Sequence, residues 1–131
     1  GVQTCALPIW DRLVYPSDEL LRLVELQSGE GRMRWFHSRP GAEAELLDAA
    51  REEFGHIAWV KRRSEVIDEG WFGPRFPTPM MARLGDVVVA PFEPVSLFEA
   101  ADTGPFELIC RHGSLTEEEM LVPLIAGHGL R

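Results

Sequence analysis

Hydrophobic and polar positions along the chain recur with two different periods, which predict helices in some segments and strands in others. The clearest helical period covers residues 42–54, where apolar side chains share one face and acidic side chains lie elsewhere. A weaker helical pattern begins at Ser17, a good N-cap residue, and stops at Gly29 and Gly31. The apolar face of the stronger helix consists of Leu46, Leu47, Ala50 and Phe54.

Four segments are predicted as strands, at residues 32–38, 57–62, 86–90 and 95–100, and residues 32–38 show the two-residue alternation that is typical of strands. The third of them is a continuous apolar run, which indicates a strand buried on both faces. A last strand is predicted over residues 121–126, because Pro123 interrupts a helix there. Helices and strands therefore alternate, and the predicted fold class is α/β or α+β.

Three shorter helices complete this pattern. The first two are predicted at residues 65–69 and 79–84. The third follows Thr116, which forms a capping box with Glu119. Between the first two, residues 71–79 are rich in aromatic residues, glycine and proline, and the prolines exclude regular structure. The aromatic side chains of that segment either cover a hydrophobic core or form a stacking platform.

Composition narrows the possible functions. The chain has 131 residues, with 13 Lys and Arg against 21 Asp and Glu, and its formal charge is −8. This balance argues against a broad surface for nucleic acids or anionic membranes, because phosphates require clustered basic side chains. No apolar run approaches the roughly 20 residues that span a bilayer. Two cysteines, Cys5 and Cys110, are too few for a disulfide framework or a four-cysteine zinc site.

Residues 1–9 differ from the rest of the chain, since they carry neither charge nor periodicity. They match the translation of a common sequencing adapter at all nine positions. The alternative is an apolar N-terminal strand or arm. We therefore expect native coding sequence to begin near Trp10, and the chain to be the tail of a longer protein whose N-terminal signals are not represented here.

His112 is the strongest candidate for a functional residue. It lies at the end of a predicted strand, before Gly113 and just ahead of a helix, where α/β sheets bind their ligands. The alternative is a structural or exposed histidine. The other histidines fit such ordinary roles better: a packed or edge position for His37, a solvated loop for His56 and a terminal tail for His128.

Residues 112–116 (HGSLT) and 119–124 (EMLVPL) together resemble the closing motif of the alkaline phosphatase superfamily. They are most similar to its bacterial nucleotide pyrophosphatase/phosphodiesterase branch, and residues 39–41, 70–74 and 83–90 support the resemblance. The resemblance implies that residues 10–127 are the C-terminal portion of an alkaline phosphatase-like catalytic domain. That portion would be part of a three-layer α/β sheet with a small α+β insert, followed by a tail at 128–131.

The resemblance also implies a function for His112, as a ligand of one of two zinc ions in the full-length enzyme. Such an enzyme is a metal-dependent hydrolase of phosphodiester, pyrophosphate or phosphomonoester bonds, and its substrate is a small phosphate ester. In that family a metal-bound Thr or Ser attacks in line, and water hydrolyses the phospho-enzyme.

The family's other ligand motifs are missing from the sequence. It contains no Asp-His pair and no Asp followed four residues later by His. We therefore expect no catalytic residue in this fragment, no activity of the fragment alone and at most weak zinc binding, because zinc affinity requires several convergent ligands.

Two alternatives stay open. The chain could be a small acidic binding or interaction domain without catalysis, which would have a closed core. It could also belong to a phosphoglycerate mutase-like or sulfatase-like member of the same superfamily. Substrate, nucleophile and oligomeric state are not indicated by the sequence, and localisation has no more than a lean towards the cytoplasm.

Overall fold

The structure is a computed structural model that describes residues 12–102 and 111–124. Across this part of the chain, no helix is both long and apolar enough to cross a membrane. The strands are β1 (Arg12–Val14), β2 (Val24–Glu30), β3 (Met33–Ser38), β4 (Ala58–Arg62), β5 (Val87–Pro91) and β6 (Val95–Leu97). The helices are α1 (Asp18–Leu21), α2 (Glu43–Phe54), α3 (Arg63–Asp68) and α4 (Glu117–Met120), with a 3-10 helix at Thr78–Arg83.

Two sheets organise the described residues. The larger has the strand order β2-β3-β5-β4, and all of its neighbouring strands are antiparallel. The smaller is a parallel pair of β1 and β6, with Leu13 opposite Ser96. The predicted coarse α/β class is therefore confirmed, with one parallel and one antiparallel sheet.

The main hydrophobic core lies between the larger sheet and helices α1 and α2. Helix α2 buries the four residues that its apolar period predicts, and β5 is buried along its whole length, as its apolar run predicts. The rings of Phe36 and Phe54 stack in this core with centroids 6.4 Å apart. The other fully buried members are Leu20, Leu46, Leu47, Ala50, Val87, Val89 and Leu97.

The opposite face of the sheet has a smaller core beneath the aromatic segment. Trp35, Val66 and Val88 form it, and Trp71 packs against it. The Phe72 ring stacks on the Trp35 ring at 6.4 Å. The aromatic residues thus cover a core, as the first of the two sequence interpretations predicts, and helices or loops lie on both faces of the sheet.

The helix predicted between Ser17 and Gly29 is wrong over most of its length. Ser17 does cap a helix, since its hydroxyl oxygen accepts a hydrogen bond from the Leu20 amide at 3.2 Å, but α1 ends at Leu21. The following residues form β2, which pairs with β3. The spacing of Val24 and Leu26 is compatible with a helix or with a strand, and the hydrogen-bonded pairing with β3 favours the strand. Val24 is buried and Leu26 is exposed in the resulting strand.

Other predicted boundaries also change. The predicted strand at 95–100 is shortened to β6, and the short helix at 79–84 is a 3-10 helix. The last strand predicted over 121–126 is not formed at 121–124, where the chain has no regular structure and is exposed. The interpretations of residues 1–9, Cys110, residues 125–126 and His128 concern parts outside the described residues.

A core substitution tests this packing. We expect Phe36→Ala to lower the free energy of unfolding by about 3–5 kcal/mol, because it removes a fully buried ring and leaves a cavity. Urea unfolding measures the change. Leu26→Ala is the control, since Leu26 is 57 % exposed on the neighbouring strand and its loss should cost less than about 0.5 kcal/mol. Equal losses in the two variants would contradict the described core.

Candidate functional site

His112 lies in a stretch that we call the motif segment, residues 111–124, which ends the described chain. The side chain of His112 is exposed, two residues before the buried Ser114. Gly113, between them, has a φ of +117°, a backbone conformation that residues with a side chain rarely adopt. A Cβ on Gly113 would meet nothing within 4 Å, so the positive φ, and not a lack of space, is what favours glycine at this position.

The motif segment is attached to the sheet through Arg32, in the two-residue turn between β2 and β3. The Arg32 side chain is 1 % exposed. Its five N–H groups all donate: Nε and Nη2 to the Glu119 carboxylate, and the remaining three to backbone carbonyls. Such full satisfaction is what allows a guanidinium to be buried. The three accepting carbonyls are those of Pro91 at 3.2 Å, Glu93 at 2.9 Å and Val95 at 2.8 Å.

Glu119 forms the other half of this anchor. Its two carboxylate oxygens accept from Arg32 at 2.7 Å each, a bidentate geometry that makes a strong charge-assisted pair. The same carboxylate accepts from the Thr116 hydroxyl at 2.7 Å and from the Ser114 amide at 3.2 Å. The predicted capping box is therefore corrected: Thr116 and Glu119 do interact, but the carboxylate turns to Arg32 instead of capping the backbone of α4.

Two further polar contacts join the motif segment to the sheet. The Ser114 hydroxyl, which is buried, donates to the Pro91 carbonyl at the end of β5 at 2.5 Å. The Arg111 guanidinium lies 3.6 Å from the Glu30 carboxylate at the end of β2. Gly31 lets the motif segment approach the β2–β3 turn closely, because a Cβ on Gly31 would lie 2.9 Å from Cδ of Arg111. The segment that carries His112 is thus fixed at one end of the sheet.

Arg34, the second residue of β3, is a second buried arginine. It pairs with the Asp102 carboxylate, and its Nη2 also donates to the Leu97 carbonyl at 3.4 Å. Sequence reasoning missed both arginines, because the alternation of β3 shows which face a residue takes but not how an arginine in that position is paired. The one available signal was Gly31, which marks the turn.

The histidines in the described residues do not form a shared metal site. His37 is half-buried, and its Nε2 lies 2.9 Å from the Ser28 hydroxyl on β2, while His56 is exposed after α2. In residues 12–102 and 111–124, no three His, Cys, Asp or Glu side chains are grouped to hold a metal ion. The exposed imidazole of His112 fits zinc as a single donor, and any further ligands would have to come from outside the described residues.

Comparison of the chain with known proteins finds no matching family model, no matching curated protein and no matching solved structure.

The Glu119 carboxyl gives the anchor a pH dependence. Burial raises its pKa, but hydrogen bonds from Arg32, Thr116 and the Ser114 amide outweigh burial and hold the pKa below its usual value of 4.5. A lowered pKa in the folded state stabilises docking above the unfolded pKa, and this stabilisation is lost as pH falls through the folded value.

We therefore expect the motif segment to detach as the pH falls through the lowered pKa of Glu119 in the folded protein. The amide NMR signals of Ser114 and Thr116, followed from pH 7 to pH 3, measure this. Glu119→Gln should abolish the acid transition, because its amide does not titrate, and the signals should resemble the detached state at all pH values. Identical acid transitions in the two proteins would show that another carboxyl group is responsible.

Proposed function

We propose that this chain is part of a metal-dependent hydrolase of phosphate esters and that it contributes His112 as a zinc ligand. The substrate would be a small molecule with a phosphodiester, pyrophosphate or phosphomonoester bond. The observation that carries the proposal is the combination of an exposed imidazole and a buried anchor. His112 is open to solvent, while the segment around it is held to the sheet through a fully hydrogen-bonded arginine.

This combination is what a metal ligand requires. An imidazole binds zinc through a nitrogen lone pair, so the ring must be accessible, and its backbone must be held still for the ligands to converge. A merely solvated loop histidine, such as His56, needs no such anchor. The resemblance of residues 112–116 and 119–124 to the closing motif of the alkaline phosphatase superfamily is the second support, because the anchoring residues Ser114, Thr116 and Glu119 lie within those two stretches.

The fold is compatible with the proposal. In an alkaline phosphatase-like arrangement, the antiparallel sheet and its covering helices would correspond to the small α+β insert. The parallel pair of β1 and β6 would belong to the edge of the central sheet of the three-layer catalytic domain. Bound zinc would stabilise charge on the reacting phosphate oxygens. The contribution of the described residues is to present the His112 imidazole and to hold its backbone.

The decisive experiment extends the chain upstream. The reading frame that precedes Trp10 is recovered from the source nucleic acid, and the longer protein is assayed for zinc content and for hydrolysis of p-nitrophenyl phosphate and bis-p-nitrophenyl phosphate. We expect an upstream Asp-His-Gly triplet, which supplies metal ligands in the alkaline phosphatase superfamily, together with bound zinc and hydrolysis of at least one of the two esters. His112→Ala should lower zinc affinity and rate by about 100-fold or more, since even indirect support of a ligand is worth 10–100-fold.

His56→Ala is the matched control, because His56 is also exposed but lies on the loop after α2. It should retain zinc and activity. Full zinc occupancy and rate in His112→Ala would disprove the assignment of His112. A start codon with only a short in-frame leader before Trp10 would favour the alternative, a small acidic binding domain without catalysis.

A further inference from the structure

The motif segment is attached to the sheet by polar contacts rather than by hydrophobic packing. Neither of the two hydrophobic cores includes a residue from 111–124, and α4 has no buried residue. In the motif segment, Ser114 is the residue that is buried, and it is held by hydrogen bonds. The apolar side chains at the end of α4 and after it are exposed: Met120 at 55 %, Leu121 at 73 %, Val122 at 82 % and Leu124 at 96 %.

One buried ion pair dominates this polar attachment. The side chains of Arg32 and Glu119 are 1 % and 5 % exposed, whereas Glu30, which faces Arg111, is 48 % exposed. An exposed pair contributes little to stability, but breaking a buried pair leaves an uncompensated charge and is strongly unfavourable. Attachment of the segment therefore depends chiefly on the Glu119 carboxylate.

The ion pair of Arg32 and Glu119 is also placed so that its loss would leave the sheet folded. With Glu119 removed, three N–H groups of Arg32 can still donate to the carbonyls near β5 and β6. Both hydrophobic cores would keep all their members. Segments that contribute few buried apolar contacts open at lower free energy than the core, and they open as units.

We infer that Arg32 and Glu119 are positioning residues, whose ion pair sets the place of His112 by docking the motif segment as a unit on the folded sheet. The purpose of this docking, to present a zinc ligand, rests on the proposed function, whereas the docking itself does not. Arg32 supplies the fixed, buried half of the pair, and Glu119 supplies the half that leaves with the segment.

Hydrogen exchange of the 131-residue chain tests the docking without any metal. We expect Glu119→Gln to raise amide exchange in residues 111–120 by about tenfold or more, because a neutral amide cannot balance the buried guanidinium. The amide chemical shifts of β3 and β5 should stay unchanged, because both cores keep their members. Glu118→Gln is the control, since its carboxylate lies exposed on the same helix and it should exchange like the unaltered chain.

A second measurement separates positioning from a general structural role. In the longer protein, Co²⁺ replaces zinc, and its visible absorption reports ligand geometry. We expect Glu119→Gln to weaken Co²⁺ binding about 10–100-fold and to alter the spectrum, with the amide chemical shifts of β3 and β5 unchanged. Glu118→Gln should leave affinity and spectrum as they are.

The possible results separate the two proposals. Unchanged exchange at 111–120 in Glu119→Gln would overturn the positioning inference, even if His112→Ala loses metal. Loss of the native amide chemical shifts of β3 and β5 would also overturn it, because the pair would then be a general structural element. Increased exchange at 111–120 with native chemical shifts in β3 and β5, together with full metal binding by His112→Ala, would support the docking and refute the proposed function.

Discussion

The buried guanidinium of Arg32 is the constraint on which the C-terminal part of this structure depends. A single side chain in the turn between β2 and β3 reaches the carbonyls near β5 and β6 and the carboxylate of Glu119. An arginine can be buried only if its charge is balanced and its donors are used. This requirement fixes the relative positions of the hairpin, the end of the sheet and the motif segment.

Hydrophobic packing and polar contacts hold different parts of this structure together. Hydrophobic burial on both faces of the antiparallel sheet holds the strands and α2 together, and it is distributed over many residues. Attachment of the motif segment is instead concentrated in a few directional contacts, above all Arg32 with Glu119. Directional contacts define position sharply and respond to charge, so the position of the motif segment depends on the charge of these few side chains.

Several elements were predictable because local pattern and tertiary packing agree in them. Helix α2 has a long amphipathic period and buries the face that this period indicates. Strand β5 is an uninterrupted apolar run and lies between two neighbours. Residues 22–28 were not predictable in this way, because Val24 and Leu26 fit both periods. The segment becomes a strand because it pairs with β3, and this tertiary contact is not visible in the local pattern of residues 22–28.

The candidate site shows the same division. The sequence by itself determined the coarse α/β class and the apolar faces of the main elements, and it made His112 the candidate for a site, because these depend on local spacing and residue type. Only the tertiary structure showed that Arg32 and Glu119, 87 residues apart, meet and hold the motif segment. The physical reason is that the pairing of a buried charge depends on which distant carboxylate the folded chain brings to it, and no local pattern contains that information.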